Sequence, residues 1–177
     1  MINAQTRRPD SGTGDKAGSA LTIKPLTECS AGELVRLTTG AWAIVANDSN
    51  ARRIFVISGD GAPLTFTLPD DSRGACLSYG TGFQVMAVRE SFVGMHTYGH
   101  EGFDPLGKLI VSQPFGKHGR AGRYFAALAG EVRFLDLDNF QTVSEPVGHR
   151  ALFHEWEVSI AKPGQRETVP LIKSSGR

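Results

Sequence analysis

Between Glu33 and Leu68 apolar and polar positions run at the period of a β-strand and are cut by short turn-rich stretches, which predicts four consecutive strands. Glu33-Leu-Val-Arg-Leu-Thr leads to Thr39-Gly40, where glycine supplies the positive φ of a tight hairpin, and Ala41-Trp-Ala-Ile-Val-Ala returns. Arg52-Arg-Ile-Phe-Val-Ile-Ser follows the turn-forming Asn47-Asp-Ser-Asn and ends at Ser58-Gly-Asp-Gly. In Leu64-Thr-Phe-Thr-Leu the period is two: Leu64, Phe66 and Leu68 share one face, and the face of Thr65 and Thr67 is expected to meet water. Ala41 to Ala46 and Ile54 to Ile57 are apolar on both faces, which predicts central strands covered on each side.

The remaining strands are expected to build onto this sheet. Leu21-Thr-Ile-Lys-Pro-Leu reads as an edge strand, because Pro25 cannot donate to a ladder. Ala75 to Tyr79, Phe83 to Arg89 and Lys108 to Gln113 read as strands, and Gly122 to Leu128 pairs with Glu131 to Leu137 in a hairpin around Ala129-Gly130. Tyr124 to Leu128 is alanine-rich, and a helical turn is the alternative there. Leu152 to Ile160 reads as one amphipathic strand with Leu152, His154, Trp156, Val158 and Ile160 on one face. The pattern fades from Ser91 to Gly107 and from Phe115 to Gly122, the two long loop candidates. No helix-period apolar stripe is present. The expected fold is all-β, an antiparallel β-sandwich or β-barrel of roughly ten short strands.

Composition sets the limits of that domain. The 177 residues fit a single domain, with a core expected over residues 21–162 and flexible polar tails at 1–20 and 163–177. A brief Val169-Pro-Leu-Ile in the second tail is apolar enough to dock on the body. From Leu21 to Lys162 there are 13 Lys and Arg against 15 Asp and Glu, so the core lacks the basic footprint of a nucleic-acid binder. Cys29 and Cys76 are the two cysteines, and the start of the chain has no secretory h-region, which leads to reduced thiols and a cytoplasmic location as the expectation. No apolar run approaches the roughly 18 residues of a membrane-spanning helix.

Two side-chain groups carry candidate chemistry. In Met95-His-Thr-Tyr-Gly-His-Glu-Gly-Phe-Asp, the imidazoles of His96 and His100 and the carboxylates of Glu101 and Asp104 are the donor types a divalent metal takes. The neighbouring glycines argue against the helix that would align the two His, so the set depends on loop shape, and hydrogen-bonded surface histidines are the plainer reading. Lys117, His118, Arg120 and Arg123 lie among glycines and could hold an anion such as phosphate through guanidinium forks and backbone N–H groups; a solvated basic loop is the plainer alternative. His154, beside Trp156 on an apolar face, reads as an interior histidine.

Two short resemblances exist. Gly40-Ala-Trp42 resembles the Gly-x-Trp that opens the first strand of lipocalins, without their helix-then-strand ending. Asp70-Asp-Ser72-Arg-Gly74, with Arg52-Arg53 upstream, resembles the Asp-x-Ser-x-x-Gly and Arg-rich signature of PilZ nucleotide-binding barrels, but its glycine falls one residue early and the Arg-x-x-x-Arg spacing is missing. Neither family is assigned. Many strands, balanced charge and no cofactor fingerprint lead to the expectation of a non-enzymatic structural or protein-interaction module without a cofactor, self-associating through an edge strand or apolar patch. Its expected partner is protein, and neither nucleic acid nor a membrane. The alternative is a small-molecule or metal-binding barrel, an enzyme included, with its site in the loops 94–107 and 115–122.

Overall fold

The structure, a computed structural model, describes residues 21–48, 51–58, 64–68, 73–97, 103–113, 121–129, 131–146, 148–161 and 168–174. Among them the first strands are β1 (Thr22–Pro25), β2 (Leu34–Leu37), β3 (Trp42–Asp48), β4 (Ala51–Ser58), β5 (Thr65–Thr67), β6 (Ala75–Ser78) and β7 (Phe83–Ala87). The second half holds β8 (Phe92–Thr97), β9 (Leu109–Gln113), β10 (Gly122–Ala129), β11 (Glu131–Asp136), β12 (Thr142–Val143), β13 (His149–Phe153), β14 (Trp156–Ala161) and β15 (Thr168–Lys173). Sheet A runs β1-β6-β2-β3-β4-β5, sheet B runs β12-β11-β10-β9-β13-β8, and sheet C runs β15-β14-β7. Every strand pair is antiparallel. The fold is therefore sandwich-like and all-β; the barrel alternative gives way to three separate sheets.

One core joins the three sheets. Leu34, Ile44, Phe55 and Ile57 from sheet A meet Leu109, Phe125 and Leu135 from sheet B and Val85, Trp156, Val158 and Ile172 from sheet C. The Phe125 and Trp156 rings pack at 4.7 Å, and the indole N–H of Trp156 donates to the Gly107 carbonyl at 3.1 Å, so the one polar atom of this large side chain is satisfied. Sheet A carries a second layer on its other face, where Cys29, Val35, Ala43, Val45, Ile54 and Cys76 lie under Leu26 of a 3-10 turn at Leu26–Glu28. This is why β3 and β4 are apolar on both faces: they are central strands with a layer on each side. The Thr39-Gly40 hairpin forms as expected, with Gly40 at φ 86° and its amide donating to Leu37.

Four expectations are corrected. The later strands do not all build onto the first sheet: only β1 and β6 join β2 to β5, and the others form sheets B and C. In β5 the alternation fails in part: Thr65 is buried and Leu64 and Phe66 are exposed, while Thr67 meets water and Leu68 is buried as expected. Thr65 pairs with Phe55, which points into the inter-sheet core, whereas Phe66 pairs with Ile54 at the rim of the outer layer. The run from Leu152 to Ile160 is two strands, β13 in sheet B and β14 in sheet C. The chain changes sheets at His154-Glu155, where Ser91 takes over their backbone groups: its carbonyl accepts from the His154 amide at 3.0 Å and its Oγ from the Glu155 amide at 2.9 Å. Lastly, the irregular stretch from Ser91 to Gly107 begins with a strand, β8. The apolar Val169-Pro-Leu-Ile docks within β15, and the N-terminal tail at 1–20 lies outside the described residues.

Candidate functional site

The edges of the three sheets are not equally protected. β1 carries Lys24 and ends in Pro25, β5 has three residues, and β12 has two. β15 carries Pro170 and a bulge at Leu171, and on β7 the Val85 carbonyl accepts from the Arg123 guanidinium at 2.9 Å. Prolines, bulges, charges and short length are the devices that keep an edge from pairing with another chain. β8, Phe92-Val-Gly-Met-His-Thr, has six residues, no charged residue and no proline. Its single bulge sits at Val93, because Leu152 faces Gly94 and Phe153 faces Phe92, and this leaves Gly94 to Thr97 as a regular stretch paired with β13 on one side and with no strand on the other among the described residues.

The two faces of sheet B differ at this edge. On one, His96 lies in a row with Arg150 and Ser112, and the buried Arg150 guanidinium stacks 4.2 Å from the Phe103 ring centroid while ion-pairing with Glu145. His96 meets Phe103 edge-on at 5.7 Å, and Phe103 stacks on Phe134 at 6.4 Å. That face is covered. On the other, Met95, Ala151 and Val111 form a cross-strand row that ends at Arg123, with Phe92 beside Phe153 at 5.7 Å. Met95 is 61% exposed, Phe92 49% and Val93 45%, so this strip of apolar side chains faces outward along the uncovered edge.

The sequence-derived candidates are distributed as follows. His96 is half-buried on β8, and Asp104 is bound by Lys108, whose ammonium donates to its carboxylate at 2.8 Å and to its carbonyl at 2.6 Å. That hydrogen bond holds the Asp104 carboxyl below its ordinary range. His100 and Glu101 lie outside the described residues, as do Lys117, His118 and Arg120. Arg123 pairs with Asp138 at 3.0 Å in addition to Val85. Among the described residues no group of three or more His, Cys, Asp or Glu could hold a metal ion.

A further polar cluster lies at the far side of sheet A. Glu33 is buried and accepts from the Lys24 ammonium at 2.9 Å, the Ser30 amide at 2.9 Å and the Ser78 hydroxyl at 2.6 Å. Burial pushes this carboxyl up, but the three hydrogen bonds outweigh it and hold it below its ordinary value. Beside it the Cys29 and Cys76 sulfurs approach to 3.4 Å. Both thiols are buried, and burial pushes Cys29 up to about 12 and raises Cys76 as well. Nothing local in the sequence announced this pair; it depends on Cys76 of β6 lying against the segment that follows β1.

Fold and edge together define an antiparallel, sandwich-like all-β protein in which the β8 edge pairs with no further strand among the described residues. No protein-family model, curated protein or solved structure matches the chain. No helix among the described residues is long and apolar enough to cross a membrane.

Proposed function

We propose that this chain is a non-enzymatic, cytoplasmic interaction module that assembles with a second copy of itself through β8. The observation that carries the reading is the pairing-competent edge of Gly94 to Thr97, flanked by exposed Phe92, Val93 and Met95, in a protein whose other sheet edges are shortened, charged, bulged or capped. A two-fold axis normal to sheet B runs β8 antiparallel to its copy with like faces together, so paired residue numbers sum to an even value, as in Met95 opposite Met95. The Met95–Ala151–Val111 strip then continues across the axis, and two six-stranded sheets become one. Ion pairs such as Lys24–Glu33, Lys108–Asp104 and Arg123–Asp138 already engage titratable groups with each other, which supports a structural over a catalytic role. Near-balanced charge supports a protein partner over nucleic acid, and neither nucleic acid nor a membrane is a partner in this reading.

Sedimentation velocity over the micromolar range tests the reading. The expected result is a species of twice the chain mass that Met95→Lys converts to monomer while circular dichroism stays unchanged. A wild-type chain that remains monomeric at the highest concentration overturns it. So does a dimer that survives Met95→Lys and is dissociated by Ile23→Lys, which would place the contact on β1, where Ile23 is 79% exposed.

A further inference from the structure

Cys29 caps the 3-10 turn Leu26–Glu28, and Cys76 lies on β6 opposite Lys24 of β1 and Leu37 of β2. Their sulfurs are 3.4 Å apart in the apolar outer layer of sheet A. The Sγ of Cys29 is 3.8 Å from the Pro25 carbonyl and that of Cys76 is 3.6 Å from the Lys24 carbonyl, so both thiols face the same short piece of β1. A disulfide needs an S–S distance of about 2.05 Å, a closure that side-chain rotation and a small shift of the turn can supply. Cysteines this close, joined to no other group, are a pre-aligned dithiol.

We propose that Cys29 and Cys76 form a redox-modification site, oxidised by a peroxide to a disulfide that fastens the Leu26–Glu28 turn to β6. Cys76 is 4% exposed and Cys29 wholly buried, so Cys76 is attacked first. Its thiolate displaces hydroxide from hydrogen peroxide and becomes a sulfenic acid. The Cys29 thiol then attacks that sulfur, forms the S–S bond and releases water. In sum, two thiols and one peroxide give one disulfide and two waters; the sulfurs lose two electrons and the peroxide oxygens gain them. Burial keeps both thiols protonated, so the reaction waits on local opening of the turn, and a small oxidant is favoured over a bulky disulfide.

The bond would close a loop spanning residues 29–76, which constrains the unfolded chain strongly. Wild-type protein is treated with hydrogen peroxide, denatured in an alkylating agent, and read by intact mass and peptide mapping. The expected result is loss of both alkylatable thiols, a mass about 2 Da below the reduced chain, a linked Cys29–Cys76 peptide, and a thermal midpoint raised by about 10 °C that dithiothreitol reverses. Sulfinic or sulfonic acid without a linked peptide overturns the proposal, as do disulfides between chains or two thiols that stay free under exhaustive oxidation.

Discussion

The ring of Phe140 occupies the space a side chain at Gly32 would need: a β-carbon built at Gly32 would sit 2.6 Å from Phe140 Cδ2. Both residues have positive φ, 86° at Gly32 and 57° at Phe140, which is rare for a bulky side chain. The contact lies where the approach to β2 meets the turn between β11 and β12, and it is framed by two hydrogen bonds, Gly32 amide to Val45 carbonyl at 2.8 Å and Asn47 amide to Phe140 carbonyl at 2.9 Å. It thus holds sheet A to sheet B. Gly32→Ala should cost on the order of 2–4 kcal/mol, from clash and backbone strain together. In urea denaturation, the Gly32→Ala cost should shrink when Phe140→Ala is also present, because only the strain remains. Strictly additive losses would show that the ring is not what excludes the β-carbon.

Glu33 should govern part of the acid response. Its folded pKa lies below the ordinary 4.5, so in the interval between them the unfolded chain binds the extra proton. The contribution is complete above 4.5 and is lost as pH falls through the folded value. The Lys24 ammonium, raised by its hydrogen bond to Glu33, contributes fully below its ordinary 10.5 and loses that contribution as pH rises through its folded value. Glu33→Gln should lower stability by about 2 kcal/mol near neutral pH and flatten the acid limb of a stability–pH curve. An unchanged acid limb would contradict this account.

Among the described residues Trp156 is the largest fully buried side chain. Trp156→Phe keeps an aromatic partner for Phe125 but abandons the Gly107 carbonyl and leaves a void, at a cost of about 1–3 kcal/mol. Trp156→Ala should cost about 3–5 kcal/mol. Chemical denaturation followed by far-ultraviolet circular dichroism gives both values.

Arg150 is buried between Phe103 and Glu145, and its replacement separates charge from shape. Arg150→Lys keeps the charge but loses the planar stack on Phe103, and Arg150→Ala uncovers Phe103; losses of about 1–2 and 2–4 kcal/mol are expected. If lysine matches arginine, the stack on Phe103 carries no weight.

A β8 interface built on uncharged side chains should respond little to ionic strength. Dimer dissociation constants at low and high sodium chloride should agree within about threefold. A steep weakening with salt would point to charged groups away from β8.

Local pattern carried most of the fold and little of the site. β3 and β4 were legible as central strands because every position from Ala43 to Ala46 is apolar, whichever face it occupies. The period of two does not hold through β5: Thr65, paired with Phe55, is buried, Phe66 and Thr67 are both exposed, and Leu68 turns back into the outer layer, an interruption set by tertiary pairing and not by local pattern. The Leu152 to Ile160 alternation spans a sheet change because both β13 and β14 bury one face, and Ser91, some sixty residues earlier, supplies the break. β8 was hidden by Gly94 and by the bulge at Val93, which disturb the period of two. The Cys29–Cys76 contact is tertiary, and no local spacing encodes it.

The passage of one continuous run from sheet B to sheet C at His154-Glu155 also bears on how the molecule could be divided. A cut at that peptide bond would yield one fragment with β7 deprived of its partner β14 and another holding only β14 and β15. Neither piece could bury Trp156 alone. Co-expressed, they should recover the fold only by finding each other, which makes this junction a natural place to split the chain for a complementation reporter.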